Sequence, residues 1–260
     1  MAFRNLLTED AGSVRTITIN RPDKLNALNQ ETISELYTAF EQAGYDDAVR
    51  VVVLKGAGPK AFVAGADISE LNRMSPVQAL ESSRRGQRLM SKVERLGKPV
   101  ICQIGGFALG GGMELAMSCS LRIASEQAKF GQPEINLGVI PGFGGTQRLL
   151  RLAGRAATLE LCLLGHQVGA QRAYELGVVN RVVPADQLEA EVQKIALQLA
   201  GAAPHALRGV LDAVQIGGEA GLDVGLDYES QAFAVCFATD DMREGTSAFL
   251  EKRKPAFKGS

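Results

Sequence analysis

The first two thirds of the chain alternate short apolar runs with longer amphipathic segments. Residues 51–54 (Val-Val-Val-Leu) are continuously apolar, which is typical of a strand buried on both faces. Residues 14–19 alternate apolar and polar side chains around two threonines, as a half-buried strand does. Further apolar runs predict strands at 100–104, 121–124 and 178–183.

Helical periodicity marks the segments between these strands. In the first segment, apolar side chains recur at the i, i+3, i+4 and i+7 spacing: Ile33, Leu36, Tyr37 and Phe40. Ser75-Pro76-Val77-Gln78 predicts the start of another helix, with Ser75 as N-cap and Gln78 completing a capping box. Because strands alternate with helices, the pattern predicts an α/β fold with largely parallel pairing.

The last third of the chain changes character. Strand signals vanish after Gln187, residues 187–200 have a helical pattern, and Gly201 to Pro204 interrupts it. Gly217-Gly218 predicts a turn between later helices. We therefore predict a core at residues 1–195 and a helical extension at 196–260. Its apolar residues would fold back on the core or pack against another subunit: Phe233, Val235, Phe237 and Phe249.

Composition and charge argue against a nucleic-acid-binding protein and against a membrane-spanning one. The 260 residues are 46% hydrophobic and 22% charged, with a net charge of −1, which lacks the general electrostatic footprint of a nucleic-acid binder. The longest basic cluster is Lys252-Arg253-Lys254, and we expect no Lys/Arg-rich helix. The longest uncharged apolar stretch, 99–113, is shorter than the roughly 20 residues that cross a bilayer. With no recognisable leader, we expect a soluble, cytoplasmic protein.

Common catalytic motifs are missing from the sequence. The four cysteines form no C-x-x-C pair, and His166 and His205 have no second ligand at helical spacing, so no metal site is indicated. G-x-S-x-G, P-loop and G-x-G-x-x-G patterns are also absent. Any chemistry would rest on carboxylates and backbone amides.

Three glycine clusters stand beside predicted helix starts, at 64–68, 110–112 and 138–146. Glycines before a helix let a ligand approach backbone N–H groups that have no intrahelical partner. The alternative is that they serve tight turns and close helix packing. Glu114 follows the second cluster, and Glu134 follows Phe130-Gly131-Gln132-Pro133. If both carboxyls face one cavity, one retains its proton near neutral pH, which pairs a general acid with a general base.

The motifs around these residues resemble the enoyl-CoA hydratase/isomerase (crotonase) family. The resemblance covers nearly the whole chain in order, through segments at 20–28, 61–68, 108–116, 130–135, 138–149 and 237–245. It implies a spiral of β-β-α units for residues 1–195. It also implies a C-terminal helical trimerisation region at 196–260, commonly giving a trimer or a dimer of trimers.

The resemblance also implies an acyl-CoA thioester substrate and a site for it. The backbone N–H groups of Ala66 and Gly111 would form an oxyanion hole for the thioester oxygen. The remaining substrate contacts would come from loop lysines, backbone groups and a glycine near the water: Lys24, Leu25, Ala27, Lys60, Ala64, Asp67, Ile68 and Gly142. Asp67 is interpreted as a turn or helix-start residue rather than a third catalytic acid.

Family members that carry both glutamates are hydratases, which predicts reversible syn hydration of a trans-2-enoyl-CoA to a 3-hydroxyacyl-CoA. Glu114 would deprotonate the attacking water and Glu134 would protonate C2. The thioester already activates the electrophile, so no metal or redox cofactor is expected. The alternatives are double-bond isomerisation, hydration of a branched or aromatic-pathway substrate, and an RNA-binding relative. Acyl chain length depends on residues 72–85, read as a loop, and on those after Gly142.

Overall fold

The computed structural model describes residues 3–260 and contains two β-sheets. The strands, in chain order, are β1 (Leu6–Ala11), β2 (Val14–Ile19), β3 (Val51–Gly56), β4 (Ala61–Val63), β5 (Val100–Ile104), β6 (Phe107–Leu109), β7 (Leu121–Ser125), β8 (Lys129–Gly131), β9 (Val168–Gly169) and β10 (Arg181–Val183). The first sheet has the order β1-β2-β3-β5-β7-β10, and the second has the order β4-β6-β8-β9.

Ten α-helices lie within residues 3–260. They are α1 (Gln30–Tyr45), α2 (Ile68–Leu71), α3 (Pro76–Glu94), α4 (Gly111–Ser118), α5 (Gly145–Leu164), α6 (Ala170–Glu175), α7 (Leu188–Ala200), α8 (Pro204–Glu219), α9 (Leu222–Cys236) and α10 (Asp240–Leu250). Three short 3₁₀ helices lie at Pro22–Lys24, Pro133–Leu137 and Ala185–Gln187. The predicted capping box starts α3, with both the Ser75 and the Gln78 hydrogen bonds formed.

Successive strand pairs build a spiral. β3, β5 and β7 join the first sheet in parallel, and each is followed by a three-residue strand of the second sheet: β4, β6 and β8. Helices then return the chain to the first sheet after β4 and β6, whereas after β8 the chain passes through α5, β9 and α6 before it reaches β10. Two strands deviate from parallel pairing, since β1 is antiparallel to β2 and β9 to β8. The predicted α/β fold and spiral of β-β-α units are confirmed.

The central strands of the six-stranded sheet are buried on both faces, which explains the continuous apolar run in β3. Val52 and Leu54 face the larger core, together with α1, α3 and the second sheet. Val51 and Val53 face α7 on the other side. Because side chains alternate across a strand, both sets must be apolar.

The C-terminal region differs from the prediction in one detail. Helix α7 packs on the first sheet as far as Ala200. The predicted turn at Gly217-Gly218 is wrong, because both glycines lie inside α8 and the chain breaks at Ala220 instead. Glycine fits at position 217 because α9 packs closely against it. A Cβ built on Gly217 would lie 3.7 Å from the Cα of Gly225 in α9.

Two further predictions need correction. The strand predicted at 178–183 is confined to Arg181–Val183, because Val178 and Val179 are buried in the turn after α6 instead. Most of residues 72–85, read as a loop, belongs to helix α3. In residues 3–260, no helix is both long and apolar enough to cross a membrane.

Candidate active site

The three short parallel strands of the second sheet bring the predicted site segments together. β4 ends at Val63, β6 at Leu109 and β8 at Gly131. Because the strands are neighbours and parallel, the segments that follow them leave the same edge of the sheet. These segments carry Ala64 to Ala66, Gly110 to Glu114, and Gln132 to Glu134. All four principal site residues of the sequence prediction therefore meet at one edge.

Glu114 lies in the first turn of α4 and is almost fully buried, with 1% of its surface exposed. Its Oε1 accepts hydrogen bonds from the backbone N–H of Phe143 at 2.8 Å and of Gly145 at 2.6 Å. Gly145 is the first residue of α5, so the carboxylate caps the positive, N-terminal end of this helix. Helix α5 has 20 residues and is interrupted at Gly154.

Opposing effects set the proton affinity of Glu114. Burial and the neighbouring Glu134 carboxyl raise the pKa of Glu114 to about 7, although the Gly145 and Phe143 amides and the Arg148 charge act to lower it. A carboxyl with this pKa exchanges protons near neutral pH, as a general base must.

Glu134 lies in the 3₁₀ helix Pro133–Leu137, and its carboxyl packs against Gly110, the residue that precedes α4. Burial raises the pKa of Glu134 to about 7. A Cβ built on Gly110 would lie 2.5 Å from Glu134 Oε1, and Gly110 has φ +48° and ψ −123°. Glycine is therefore required at position 110 both by the backbone conformation and by the carboxyl packed against it.

Gln132 supports the second carboxyl. Its side chain is fully buried beside the site. With its amide nitrogen turned towards Glu134, it donates to Oε1 at 3.2 Å and to Oε2 at 3.1 Å. No local pattern in the sequence marks Gln132 as a site residue.

Two backbone N–H groups are available beside the carboxyls. Gly111 is the first residue of α4, so its N–H has no intrahelical acceptor. Leu28 forms a parallel bridge with Ala66 through Gly65 O and Asp67 N, which directs the Ala66 N–H away from Leu28. A Cβ built on Gly111 would lie 3.6 Å from Ala66 N, so the two amides are close neighbours.

The Phe143 ring closes one side of this amide pair. A Cβ on Gly111 would lie 3.4 Å from the ring, and one on Gly86 in α3 would lie 2.1 Å from it. The ring is 7% exposed. Gly86 thus leaves the space in which Phe143 packs, and the backbone of Phe143 in turn holds Glu114.

The residues predicted to contact the substrate's CoA part lie on two bridged segments. Ala64 N–H donates to Leu25 O at 3.1 Å, and Ala27 O accepts from the Arg21 guanidinium. Leu25 adopts a left-handed conformation with φ +50°. Lys24 and Lys60 are both exposed in adjoining loops. The predicted contact residues are therefore grouped at one place on the surface.

Asp67 is the N-cap of α2, which confirms its interpretation as a helix-start residue. Its side chain accepts from Ser69 and forms an ion pair with Arg21 at 3.0 Å. The Ser69 hydroxyl and the Arg21 guanidinium hold the pKa of Asp67 below its usual value. Ile68, the next residue, is 56% exposed.

Gly142 precedes the turn that holds Glu114. Its carbonyl accepts from Ser83 Oγ at 2.6 Å and from Gln87 Nε2 at 3.1 Å. Within residues 3–260, its N–H donates to no protein acceptor. This N–H is therefore free to bind a small polar group beside Phe143.

The described residues contain no cluster of metal ligands but do contain a basic helix. Within residues 3–260, no group of three or more His, Cys, Asp and Glu side chains could hold a metal ion. The expectation of no Lys/Arg-rich helix is wrong, because α3 and its C-cap carry four cations at helical spacing: Arg84, Arg88, Lys92 and Arg95. Lys92 pairs with Glu41 and Arg95 with Glu219, which compensates two of these charges.

Comparisons with known proteins agree with the geometry. An enoyl-CoA hydratase/isomerase family model matches residues 9–260. The chain is 43% identical to the short-chain-enoyl-CoA hydratase of Clostridium acetobutylicum, over 98% of this chain and 97% of that protein. It is also 43% identical to the crotonyl-CoA hydratase of Syntrophomonas wolfei, over 99% of both. The crystal structure of an enoyl-CoA hydratase from Bacillus anthracis superposes with a TM-score of 0.95 at 40% identity, covering 99% of this chain and 100% of that one.

Proposed function

The chain belongs to the enoyl-CoA hydratase/isomerase family, and we propose that it adds water reversibly, in syn fashion, to trans-2-enoyl-CoA to give 3-hydroxyacyl-CoA. One observation carries the proposal: the buried carboxyl of Glu114 and the partly buried carboxyl of Glu134 lie at the same sheet edge as the amides of Ala66 and Gly111, which have no protein acceptor within residues 3–260. Hydration of an enoyl thioester needs a base, an acid and an oxyanion acceptor, and this arrangement supplies each.

The two carboxyls divide the proton transfers. Glu114 is the better base, because the N–H groups of Phe143, in the turn before α5, and of Gly145, the first residue of α5, stabilise its ionised form. It takes a proton from the water that attacks C3. Glu134 keeps its proton through burial and delivers it to C2. Since one carboxyl raises the pKa of the other, the pair shares a proton and titrates as a unit.

The amides of Ala66 and Gly111 stabilise the intermediate. When water adds at C3, negative charge develops on the thioester oxygen, and two convergent N–H groups bind that charge. Loss of such a donor costs roughly 10²–10³ in rate. Gly111 adds the positive end of α4 to this effect. The free N–H of Gly142 orients the attacking water.

The CoA part of the substrate lies along the bridged segments 24–28 and 64–68. Backbone groups of Leu25, Ala27, Ala64, Asp67 and Ile68 contact the adenine and the pantetheine arm, and the Lys24 and Lys60 ammonium groups approach the phosphates. Their exposure in neighbouring loops supports this role. We propose that the thioester activates the double bond sufficiently for the reaction to run without a metal or redox cofactor.

We further propose that the protein works as a homotrimer or a dimer of trimers, assembled through residues 196–260. None of the side chains in Pro204–Glu219 or Leu222–Cys236 is buried in one chain. Large apolar side chains are exposed there and in the helix that follows: Val214, Leu222, Phe233, Phe249 and Leu250. A second copy that covers them would remove this apolar area from water.

Decay of the enoyl-thioester absorbance of crotonyl-CoA tests the function. We expect rapid decay with the unaltered protein and a loss of several decades in both Glu114→Gln and Glu134→Gln. The matched control is Glu126→Gln, since Glu126 is an exposed carboxyl in a turn, and it should keep full activity. No decay with crotonyl-CoA or a longer enoyl-CoA would overturn the proposal and leave isomerisation or another enolate reaction to the same residues.

A further inference from the structure

A partly buried ion pair lies directly behind the turn that holds Glu114. Arg148 in α5 binds Glu94 at the end of α3 through two parallel hydrogen bonds, each 2.7 Å long. The two side chains are only 14% and 19% exposed. Paired hydrogen bonds between a guanidinium and a carboxylate fix both groups in orientation as well as distance.

The third guanidinium nitrogen of Arg148 reaches the active-site turn. Its Nη1 donates to Phe143 O at 2.9 Å. The N–H of the same residue donates to Glu114. Phe143 is therefore held on one side by Arg148 and on the other side by the catalytic carboxylate.

Gly144 makes this double contact possible. Its φ of +109° turns the chain so that the N–H groups of Phe143 and Gly145 converge on the same oxygen of Glu114. A Cβ on Gly144 would lie 2.1 Å from Arg148 Nη1, so the guanidinium packs against the bare backbone of the turn. A small shift of Arg148 would therefore move both amides.

We propose that Arg148, oriented by Glu94, is a positioning residue for the hydration reaction: it fixes the turn at 143–145 so that two amides bind Glu114 in its ionised form. The inference rests on the proposed function and adds to it two residues that do not touch the substrate. Arg148 acts through the backbone of Phe143 and through its charge, which acts to lower the pKa of Glu114.

Other charged groups near Glu114 act in the opposite direction or stay neutral. Glu134 on the 3₁₀ helix raises the pKa of Glu114. The Cys162 thiol on α5 is near both carboxyls, and burial and their charges raise its pKa to about 11, so it remains neutral at pH 7. Arg148 is the one cation that acts on Glu114 among the described residues.

The test compares two partly buried arginines. Arg148→Gln removes the positioning contact. Arg15→Gln breaks another paired contact, on β2 away from the site: Arg15 is also 14% exposed and donates to both Asp10 oxygens at 2.7 Å, although Asp10 is more exposed than Glu94. Both variants should lose stability. For Arg148→Gln alone, we expect kcat for crotonyl-CoA to fall about 10²-fold with little change in KM. The acidic limb of the kcat–pH profile of Arg148→Gln should move to higher pH.

Arg148→Lys separates charge from geometry. A lysine keeps the positive charge but lacks the planar fork, so the acid limb should return towards its original pH while kcat recovers only in part. Thermal melts over the same pH range give a readout independent of catalysis. A higher pKa of Glu114 in the folded state extends to higher pH the range over which the protein loses stability as pH rises. If Arg148→Gln matches Arg15→Gln in kcat and in both pH profiles, the pair merely ties α3 to α5 and the inference is wrong. Absence of hydration by the unaltered protein would instead contradict the proposed function itself.

Discussion

Glu114 Oε1 lies 2.6 Å from the backbone nitrogen of Gly145, so a carboxylate from one helix caps the first turn of another. This contact joins α4 and α5 across 31 residues of sequence. The buried charge depends on the positive end of α5 for its stability, and the turn before α5 depends on the carboxylate for its shape.

The rate of hydration should have a bell-shaped pH dependence centred near pH 7. The pKa values of Glu114 and Glu134 are both raised to about 7, and the pair is active when it holds one proton. Below this range Glu114 gains a proton and cannot act as base; above it the pair loses the proton that Glu134 delivers. Measurement of kcat/KM for crotonyl-CoA from about pH 5 to about pH 9 checks this. A rate independent of pH over that range would contradict it.

Glu114→Gln should stabilise the folded protein at pH 8 while it abolishes activity. Folding raises the pKa of Glu114 from 4.5 to about 7, so the folded state binds the proton more tightly and loses stability as pH rises through this window. A glutamine can still accept the two backbone hydrogen bonds without this loss. The gain should be on the order of 1–3 kcal/mol at pH 8 and close to zero at pH 4.5 and below.

Urea denaturation at these two pH values measures the difference. A variant less stable than the unaltered protein at pH 8 would mean that Glu114 is ionised in the folded state without penalty. In that case the burial argument for its pKa would fail.

Gly110→Ala should lower kcat by about 10²-fold. The new methyl group would lie 2.5 Å from Glu134 Oε1, and alanine disfavours φ +48° with ψ −123°, so the acid is displaced from C2. Steady-state kinetics with crotonyl-CoA give the result. Gly12→Ala is the control, because Gly12 has φ +61° in an open hairpin turn with nothing within 4 Å of its would-be Cβ. Equal activities of the two variants would argue against displacement of Glu134.

Asn26→Ala should destabilise the protein by about 1–3 kcal/mol and raise KM more than it lowers kcat. The fully buried Asn26 donates to Ala57 O and Ala61 O, both at 2.9 Å, and accepts from Arg21 N. These bonds fix the loop that carries the proposed CoA contacts. Thermal melts and KM for crotonyl-CoA test both effects.

The control for this loop is Asn72→Ala, since Asn72 is exposed at the end of α2. It should change neither stability nor KM. A fall in kcat alone for Asn26→Ala would show that the loop acts on the reacting atoms rather than on binding.

Phe249→Asp should reduce the oligomer to smaller species. The Phe249 side chain is 83% exposed in one chain, and a carboxylate there would lose hydration in an interface. Light scattering should give three or six times the mass of one chain for the unaltered protein and a lower mass for the variant. Gln198→Asp, at an exposed position on α7, should keep the full mass. A monomeric unaltered protein would exclude the proposed assembly.

The longer elements followed from the sequence pattern, whereas the short ones did not. The continuous run in β3 and the capping box of α3 each carry a local signal strong enough to identify the element. Strands β4, β6 and β8 contain three residues each, too few for a periodicity to be recognised. Yet these strands align the segments that carry Ala66, Gly111 and Glu134.

The supporting contacts of the site were also outside the reach of sequence patterns. Gln132 and Arg148 belong to segments that resemble the family, but nothing in their spacing shows that one faces Glu134 and the other faces the carbonyl of Phe143. Glu94, 54 residues from Arg148, gave no signal at all.

The sequence by itself determined the alternation of strands and helices, the family, and the identities of Glu114, Glu134, Ala66 and Gly111 as candidate site residues, because apolar periodicity and glycine-rich motifs are local properties of the chain. The tertiary structure decided which of these groups meet and what their protons do. Parallel pairing of β4, β6 and β8 brings the segments to one edge, and burial beside a second carboxyl raises the pKa of Glu114, an effect that depends on neighbours distant in sequence.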